Sequence, residues 1–217
     1  MGADPQPRRL VLLRHGQTAF NAERRIQGQH DVELDETGHE QAAAAAPYLA
    51  AYRPTRLVTS DLARAQQTAA YVAKETGLEP EPDPRLREAM LGERQTLTHA
   101  EYAALAPAEF EAFLAGDWDV VPGGEGLGPM RARTTEALRE VLASTPAGET
   151  SVAVSHGGAL KVAVAALLGW PDEAAGSLRG LGNCHWAVLQ QRPGAGQGGR
   201  VALAAYGLTP ISSSDRL

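Results

Sequence analysis

The sequence predicts an α/β fold: a three-layer α/β/α sandwich on a mostly parallel sheet. Three observations predict it. Short runs of β-branched and small apolar residues alternate with longer, alanine-rich stretches of helical character. Two of those runs, "LVLLRHG" and "SVAVSHGG", end on a histidine followed by glycine and lead towards a helix. The chain then closes on two strand-like runs, "HWAVLQQ" and "RVALAAY", joined by a glycine-rich loop over 193–199, which suits an antiparallel edge hairpin. Parallel strands linked by helices place helices on both faces of the sheet. A chain of 217 residues can bury a substantial core and is expected to form a single domain over 1–217.

Taken in order, residues 9–13 read as a short buried strand. Residues 37–52 read as a helix, with Asp35 and Thr37 as cap candidates and Pro47 as a point of kinking or division. A second strand over 56–59 precedes a helix over 62–76, stopped by Gly77. The proline-rich "LEPEPDPRL" follows, then an excursion from the main alternation over about 92–128, with one helical stretch at 98–114. An amphipathic helix over 129–143 returns to the alternation before "TSVAVSHGGALKVAVAALLG" repeats the opening strand, histidine, glycine and helix.

Composition narrows the function. The formal net charge of -6 argues against a general nucleic-acid or anionic-membrane surface, so any anion site is a local cluster. Cys184 is the single cysteine and needs no oxidising compartment. The polar start "MGADPQPRR" lacks the apolar segment of a signal peptide, and no apolar run reaches the length of a membrane span. A cytoplasmic protein is the expectation.

In a parallel sheet, ligands gather at the carboxyl ends of the strands. Arg14-His15-Gly16, "SDLARAQQTA" and Ser155-His156-Gly157-Gly158 all fall there. Gly16 lets another backbone approach closely. Arg64, in the first turn of its helix, can grip two anion oxygens beside exposed N–H groups. Two histidines and two arginines at such a place describe a phosphoryl pocket. No metal-ligand spacing is recognisable, so neither a metal nor another cofactor is expected. "GEGLG" follows no clear strand, which removes a dinucleotide fold.

The ordered motifs "RHGQTAFN", "RRIQGQHDVELDETGHEQA", "SDLARAQQTA", "LREAMLGE" and "VSHGG" resemble the signature of the histidine phosphatase superfamily, in its phosphoglycerate mutase-like branch. The resemblance implies that fold and a phosphohistidine mechanism. His15 would be the nucleophile. Arg14, Arg64 and His156 would bind the phosphoryl oxygens, and Glu88 would protonate the leaving oxygen and then deprotonate water. Asn21, Gln27, Gly28 and Gly157 match positions lining the phosphate and substrate side. The implied partner is a small phosphate monoester, and a homodimer through an edge strand or helix is common in the family.

Physical chemistry favours the same roles. Phosphate-monoester hydrolysis is among the slowest uncatalysed reactions, and positioned cations and in-line geometry supply most of its acceleration. A histidine intermediate divides one barrier into two, and a carboxylic acid gives the alkoxide its proton.

Hydrolysis is expected over mutase chemistry, because residues 95–130 contain no Lys or Arg but do contain Glu101, Glu109, Glu111, Asp117, Asp119 and Glu125. An acidic lid would repel a second phosphate. "QTLTHAEYAALAP", "GNCHWAVL" and the terminal "SSSDRL" look most like actinobacterial glucosyl-3-phosphoglycerate phosphatases, which implies that ester or another sugar or glycerate phosphate. Arg94-Gln95 departs from the tryptophan-glycine usual in relatives, and "PGGEG" places Gly126 where serine is commoner. A non-catalytic binding relative would have lost some of His15, Glu88 or His156, and all three are present. His30, His39, His99 and His185 are expected at surface or structural positions, and Asp61 as a helix cap.

Overall fold

A computed structural model describes residues 6–192 and 199–210. Six strands form one sheet: β1 (Arg8–Arg14), β2 (Arg56–Thr59), β3 (Pro80–Pro82), β4 (Thr150–Ser155), β5 (Trp186–Gln191) and β6 (Val201–Leu208). Their spatial order is β3-β2-β4-β1-β5-β6. Neighbours are parallel except β5, which runs antiparallel to both β1 and β6, so the sheet is mostly parallel with the expected antiparallel edge pair. Most of the glycine-rich loop joining that pair lies outside the described residues, as does "SSSDRL".

Alternation along the strands builds the three layers. Leu10 and Leu12 face one side, where they pack with Leu138 and Val141 of α6 (Leu127–Ser144) and Leu160 and Val164 of α7 (Gly157–Leu168). Val11 and Leu13 face the other, against Ala45 and Leu49 of α2 (Glu36–Ala50) and Ala69 and Val72 of α3 (Ala63–Thr76). All four strand residues are fully buried, and each such side chain contributes about 1.5–3 kcal/mol. Among the described residues, no helix is long and apolar enough to cross a membrane.

Several local expectations are corrected by the structure. Pro47 lies inside α2 without dividing it, and Asp35 alone caps that helix, accepting from Gly38 N at 2.8 Å. The proline-rich stretch contributes β3, a three-residue strand at the sheet edge, where proline's missing donor is tolerated. The expected helix over 98–114 is two, α4 (His99–Leu105) and α5 (Pro107–Ala115). Pro107 drives the preceding Ala106 out of helical geometry, at φ -147° and ψ 74°.

The excursion leaves and rejoins the body at one crossing. Leu91 bridges Gly124, and a Cβ on Gly92 would stand 2.2 Å from the Pro122 carbonyl oxygen, so only glycine fits. A cluster of Ile26, Leu91, Tyr102, Val121, Met130 and Ala159 anchors this lid to the body.

Candidate active site

The sheet register aligns the carboxyl ends of three strands. Arg14 pairs with Ser155, and Thr59 with Val154. The next residues, His15 and Ser60, donate their backbone N–H to Ser155 and Val154. His15, Ser60 and His156 therefore leave the sheet together, and the two histidine rings lie 5.1 Å apart. Close approach beneath them requires glycine: a Cβ on Gly16 would meet the Gly38 carbonyl oxygen at 2.5 Å.

His15 is buried, and its Nδ1 lies 2.7 Å from the Gly16 carbonyl oxygen. A carbonyl only accepts, so Nδ1 carries the proton and the lone pair belongs to Nε2. Burial, with Arg64 and Arg14 close by, holds His15 well below the usual histidine pKa. The imidazole is therefore neutral, as a nucleophile must be.

Two guanidiniums flank it. Arg14 donates to the Leu181 carbonyl oxygen at 2.6 Å, while its buried Nε has no hydrogen-bond partner among the described residues. Arg64 is 1% exposed and donates to the carbonyl oxygens of Gly28 at 2.8 Å and His30 at 3.0 Å. Burial lowers Arg64 to about 10, which leaves it cationic at neutral pH. Arg64 Nε also donates to His156 Nδ1 at 3.2 Å, and His156 Nε2 meets Ser60 Oγ at 2.9 Å. His156 is thus held between Ser60 and Arg64, and burial followed by Arg64 keeps it, too, well below the usual histidine value.

Glu88 lines the same cavity. Its Oε1 accepts from Ala89 N at 3.0 Å and Ala159 N at 2.9 Å, and its Oε2 from Gly158 N at 2.9 Å. The start of α7 therefore fixes the carboxyl group. Gly158 has no room for a side chain, since a Cβ would lie 2.4 Å from Trp118 Cη2 and 2.8 Å from Glu88 Oε1.

Arg14, His15, Asn21, Gln27, Gly28, Arg64, Glu88 and Gly157 line one cavity of about 530 Å3, with His156 packed against His15 behind it. The nine site residues expected from the sequence therefore lie together, eight lining the cavity and His156 behind them. Residues 10–202 match the histidine phosphatase superfamily (branch 1). The chain belongs to that superfamily. It is 43% identical over 189 residues to the glucosyl-3-phosphoglycerate phosphatase of Mycobacterium tuberculosis, covering 84% of this chain and 85% of that one. A probable phosphoglycerate mutase of Yersinia enterocolitica is 38% identical over 179 residues, covering 81% of each. The structure of a mycobacterial glucosyl-3-phosphoglycerate phosphatase in complex with VO3 superposes with a TM-score of 0.85 at 40% identity, over 93% of this chain and 100% of that one. The six-stranded mixed sheet with its flanking helices is this superfamily's phosphoglycerate mutase-like α/β fold.

Other residues of this histidine phosphatase escaped sequence reasoning. Ser60 orients His156, and Asn183 Nδ2 ties the His15 carbonyl oxygen to Asn21 Oδ1 at 3.0 and 3.1 Å. Arg133 donates to the carbonyl oxygens of Arg85, Arg87 and Glu88 at 2.8, 2.7 and 2.9 Å, fixing the segment that carries the acid. Lys161 lines the cavity from α7, and its spacing of four from Gly157 was the available signal. His99 also lines the cavity while opening α4. Asp61 is not the cap of α3: its carboxylate pairs with Arg87 at 2.6 Å, and Asp31 caps Ala63 N from a distant loop at 2.8 Å.

The lid's electrostatics also differ from expectation. Several of its carboxylates are engaged in structure: Glu101 caps α4, Glu109 pairs with Arg94 at 2.7 Å, and Glu125 holds Arg133. None of them lines the cavity, where the lid presents Phe113, Leu114 and Trp118. Both sequence departures act here. Arg94 pins α5 through Glu109, and Gln95 fills the space beside Gly28 while accepting from Gln29 N at 2.7 Å. Gly126, at φ +77°, opens α6 where a Cβ would strike Asp119.

Proposed function

We propose that this phosphatase hydrolyses a small phosphate monoester without a metal, through a phosphohistidine on His15. The observation that carries this is the His15 imidazole, with Nδ1 held by a carbonyl and Nε2 left as a neutral nucleophile between Arg14 and Arg64. The phosphoryl group docks between the guanidiniums, and the unpartnered Arg14 Nε takes one of its oxygens. Nε2 attacks phosphorus in line as the P–O bond to the alcohol breaks, and Glu88 protonates the departing oxygen. Water then attacks the phosphohistidine as Glu88 takes its proton, releasing phosphate and the free imidazole. His156 acts through Arg64 and the His15 ring, keeping both in place.

Glucosyl-3-phosphoglycerate, or a related sugar or glycerate phosphate, is the leading substrate class. The relatives with that activity align over most of the chain, and the cavity combines two arginines placed for a phosphate with an apolar lid wall. Mutase chemistry needs cations for a second phosphate, and among the described residues Lys161 is the one Lys or Arg lining the cavity besides Arg14 and Arg64. A single, buried cysteine asks for no oxidising compartment, which accords with a cytoplasmic setting.

The experiment is phosphate release from glucosyl-3-phosphoglycerate, 3-phosphoglycerate, several sugar phosphates and p-nitrophenyl phosphate, with EDTA present. Release that survives EDTA and needs His15 is expected. A folded protein that instead interconverts phosphoglycerates, or needs added metal, would overturn the reading.

A further inference from the structure

Residues 181–184, just before β5, wrap the end of β1. The Leu181 carbonyl oxygen accepts from Arg14 Nη1 at 2.6 Å. Cys184 takes a φ of +53°, unusual for a residue with a side chain, and its N–H donates to the Arg14 carbonyl oxygen at 3.1 Å. Between them stands Asn183, which does not line the catalytic cavity. Its Nδ2 lies 3.0 Å from the His15 carbonyl oxygen and 3.1 Å from Asn21 Oδ1. The hydrogen bonds decide which way both amides point. A carbonyl only accepts, so the Asn183 atom facing His15 is the nitrogen, and its two hydrogens serve His15 and Asn21. The Asn21 atom that receives the second hydrogen is therefore the oxygen. Thr18 N, at the start of α1 (Ala19–Ala22), donates to that same oxygen at 3.2 Å. Asn21 lines the catalytic cavity, and among the described residues its Nδ2 has no hydrogen-bond partner.

We infer that Asn183 is a positioning residue for phosphoryl binding: it fixes the polarity of the Asn21 amide, so that Nδ2 donates to a phosphoryl oxygen and Oδ1 stays turned away from it. This deepens the phosphatase reading and rests on it. The two ends of an amide are nearly alike in shape, and a reversed Asn21 would set lone pairs against an anion. Arg14 and Arg64 cannot make that error, because a guanidinium carries donors only. The neutral donor is the one that needs an orienting partner. Held in advance, it requires no reorganisation as charge develops on the phosphoryl oxygens. The partner in turn hangs from the His15 backbone, so donor and nucleophile share one anchor.

The test is a double-mutant cycle read by equilibrium titration with orthovanadate, a phosphate-like anion whose binding needs no turnover. Asn21→Ala should weaken binding about tenfold, and Asn183→Leu, similar in size but without polar atoms, about fivefold. In the Asn21→Ala background the Asn183→Leu loss should shrink to less than about twofold, because the donor it orients is gone. The His15 carbonyl oxygen still has Cys184 N, at 3.3 Å. The kcat/KM on p-nitrophenyl phosphate should follow the same pattern. Unchanged binding in Asn183→Leu would overturn the inference. So would a loss that persists undiminished without Asn21, which is the behaviour of a loop merely loosened. If Asn183→Leu does not melt cooperatively, Asn183→Ser, with one hydrogen where the amide nitrogen has two, takes its place in the cycle. A wild-type protein that binds orthovanadate yet releases phosphate from no ester would remove the phosphatase reading, and the cycle would still decide the role of Asn183. A wild-type protein that binds no orthovanadate would overturn the inference itself.

Discussion

The floor and the lid of the cavity are built on different physical terms. The floor is three aligned strand ends: His15, Ser60 and His156 are all at most 2% exposed, held by the sheet's own hydrogen-bond register. The lid is a loop excursion carrying two short helices, with Leu105 and Leu114 largely exposed and its charges committed to caps and ion pairs. On the proposed mechanism the nucleophile belongs to the floor that the sheet fixes, and choice of ester to the lid and walls. Floor substitutions should therefore lower turnover on every ester, and lid or wall substitutions should change the ratio between esters.

The largest effect is expected at the nucleophile. His15→Ala should lower kcat by at least ~10³-fold on every ester while the protein still melts cooperatively. A variant with near-native turnover would remove His15 from its role. Next comes the acid: Glu88→Gln should cost ~10²–10⁴-fold on an alkyl ester and far less on p-nitrophenyl phosphate, whose leaving group hardly needs a proton. Equal losses on both would show that Glu88 does something else.

Gly158→Ala sharpens the boundary between the two regions, because its Cβ would press on Trp118 of the lid and Glu88 of the site at once. A fall in kcat of ~10–10²-fold is expected on alkyl esters. If only the preference among esters changes, the lid alone has moved.

A pH series separates the regions by charge. His15 and His156 have lowered pKa values in the fold, so the unfolded chain binds more protons as pH falls through the ordinary histidine value near 6.5. Stability is then fully present above that value and falls as pH drops below it, a loss that circular-dichroism melts would follow. By the same sign, the acidic limb of kcat/KM should lie below pH 6.5, since the nucleophile stays neutral there. An acidic limb above 6.5 would contradict the burial of His15.

The smallest effect is expected furthest from the chemistry. Arg94→Ala releases α5 from a partly buried, two-pronged contact with Glu109 and should cost about 1 kcal/mol in denaturant melts. A double-mutant cycle with Glu109→Ala would show whether the pair is coupled.

The same division explains what the sequence revealed. The floor was legible because strand ends are marked: four apolar residues, then Arg14 and His15, repeated later at His156. The sandwich followed from alternation, since Leu10 and Val11 must face opposite layers. Residues acting across long sequence separations were not legible. Arg133 reaches the Glu88 carbonyl oxygen across 45 residues, and Asp31 caps a helix 32 residues away. The lid's acidity was legible as composition, but composition does not say which carboxylates already have partners. Pro107 was the missed local signal for the break between α4 and α5.

The most direct measurement is rapid alkaline quenching of the enzyme during turnover of a good aryl ester, followed by mass mapping of phosphorylated peptides. The mechanism predicts a phosphoryl group on His15, formed fast enough to account for turnover and missing from the His15→Ala protein. Full turnover with no phosphorylated peptide, or with the group on His156 instead, would contradict it.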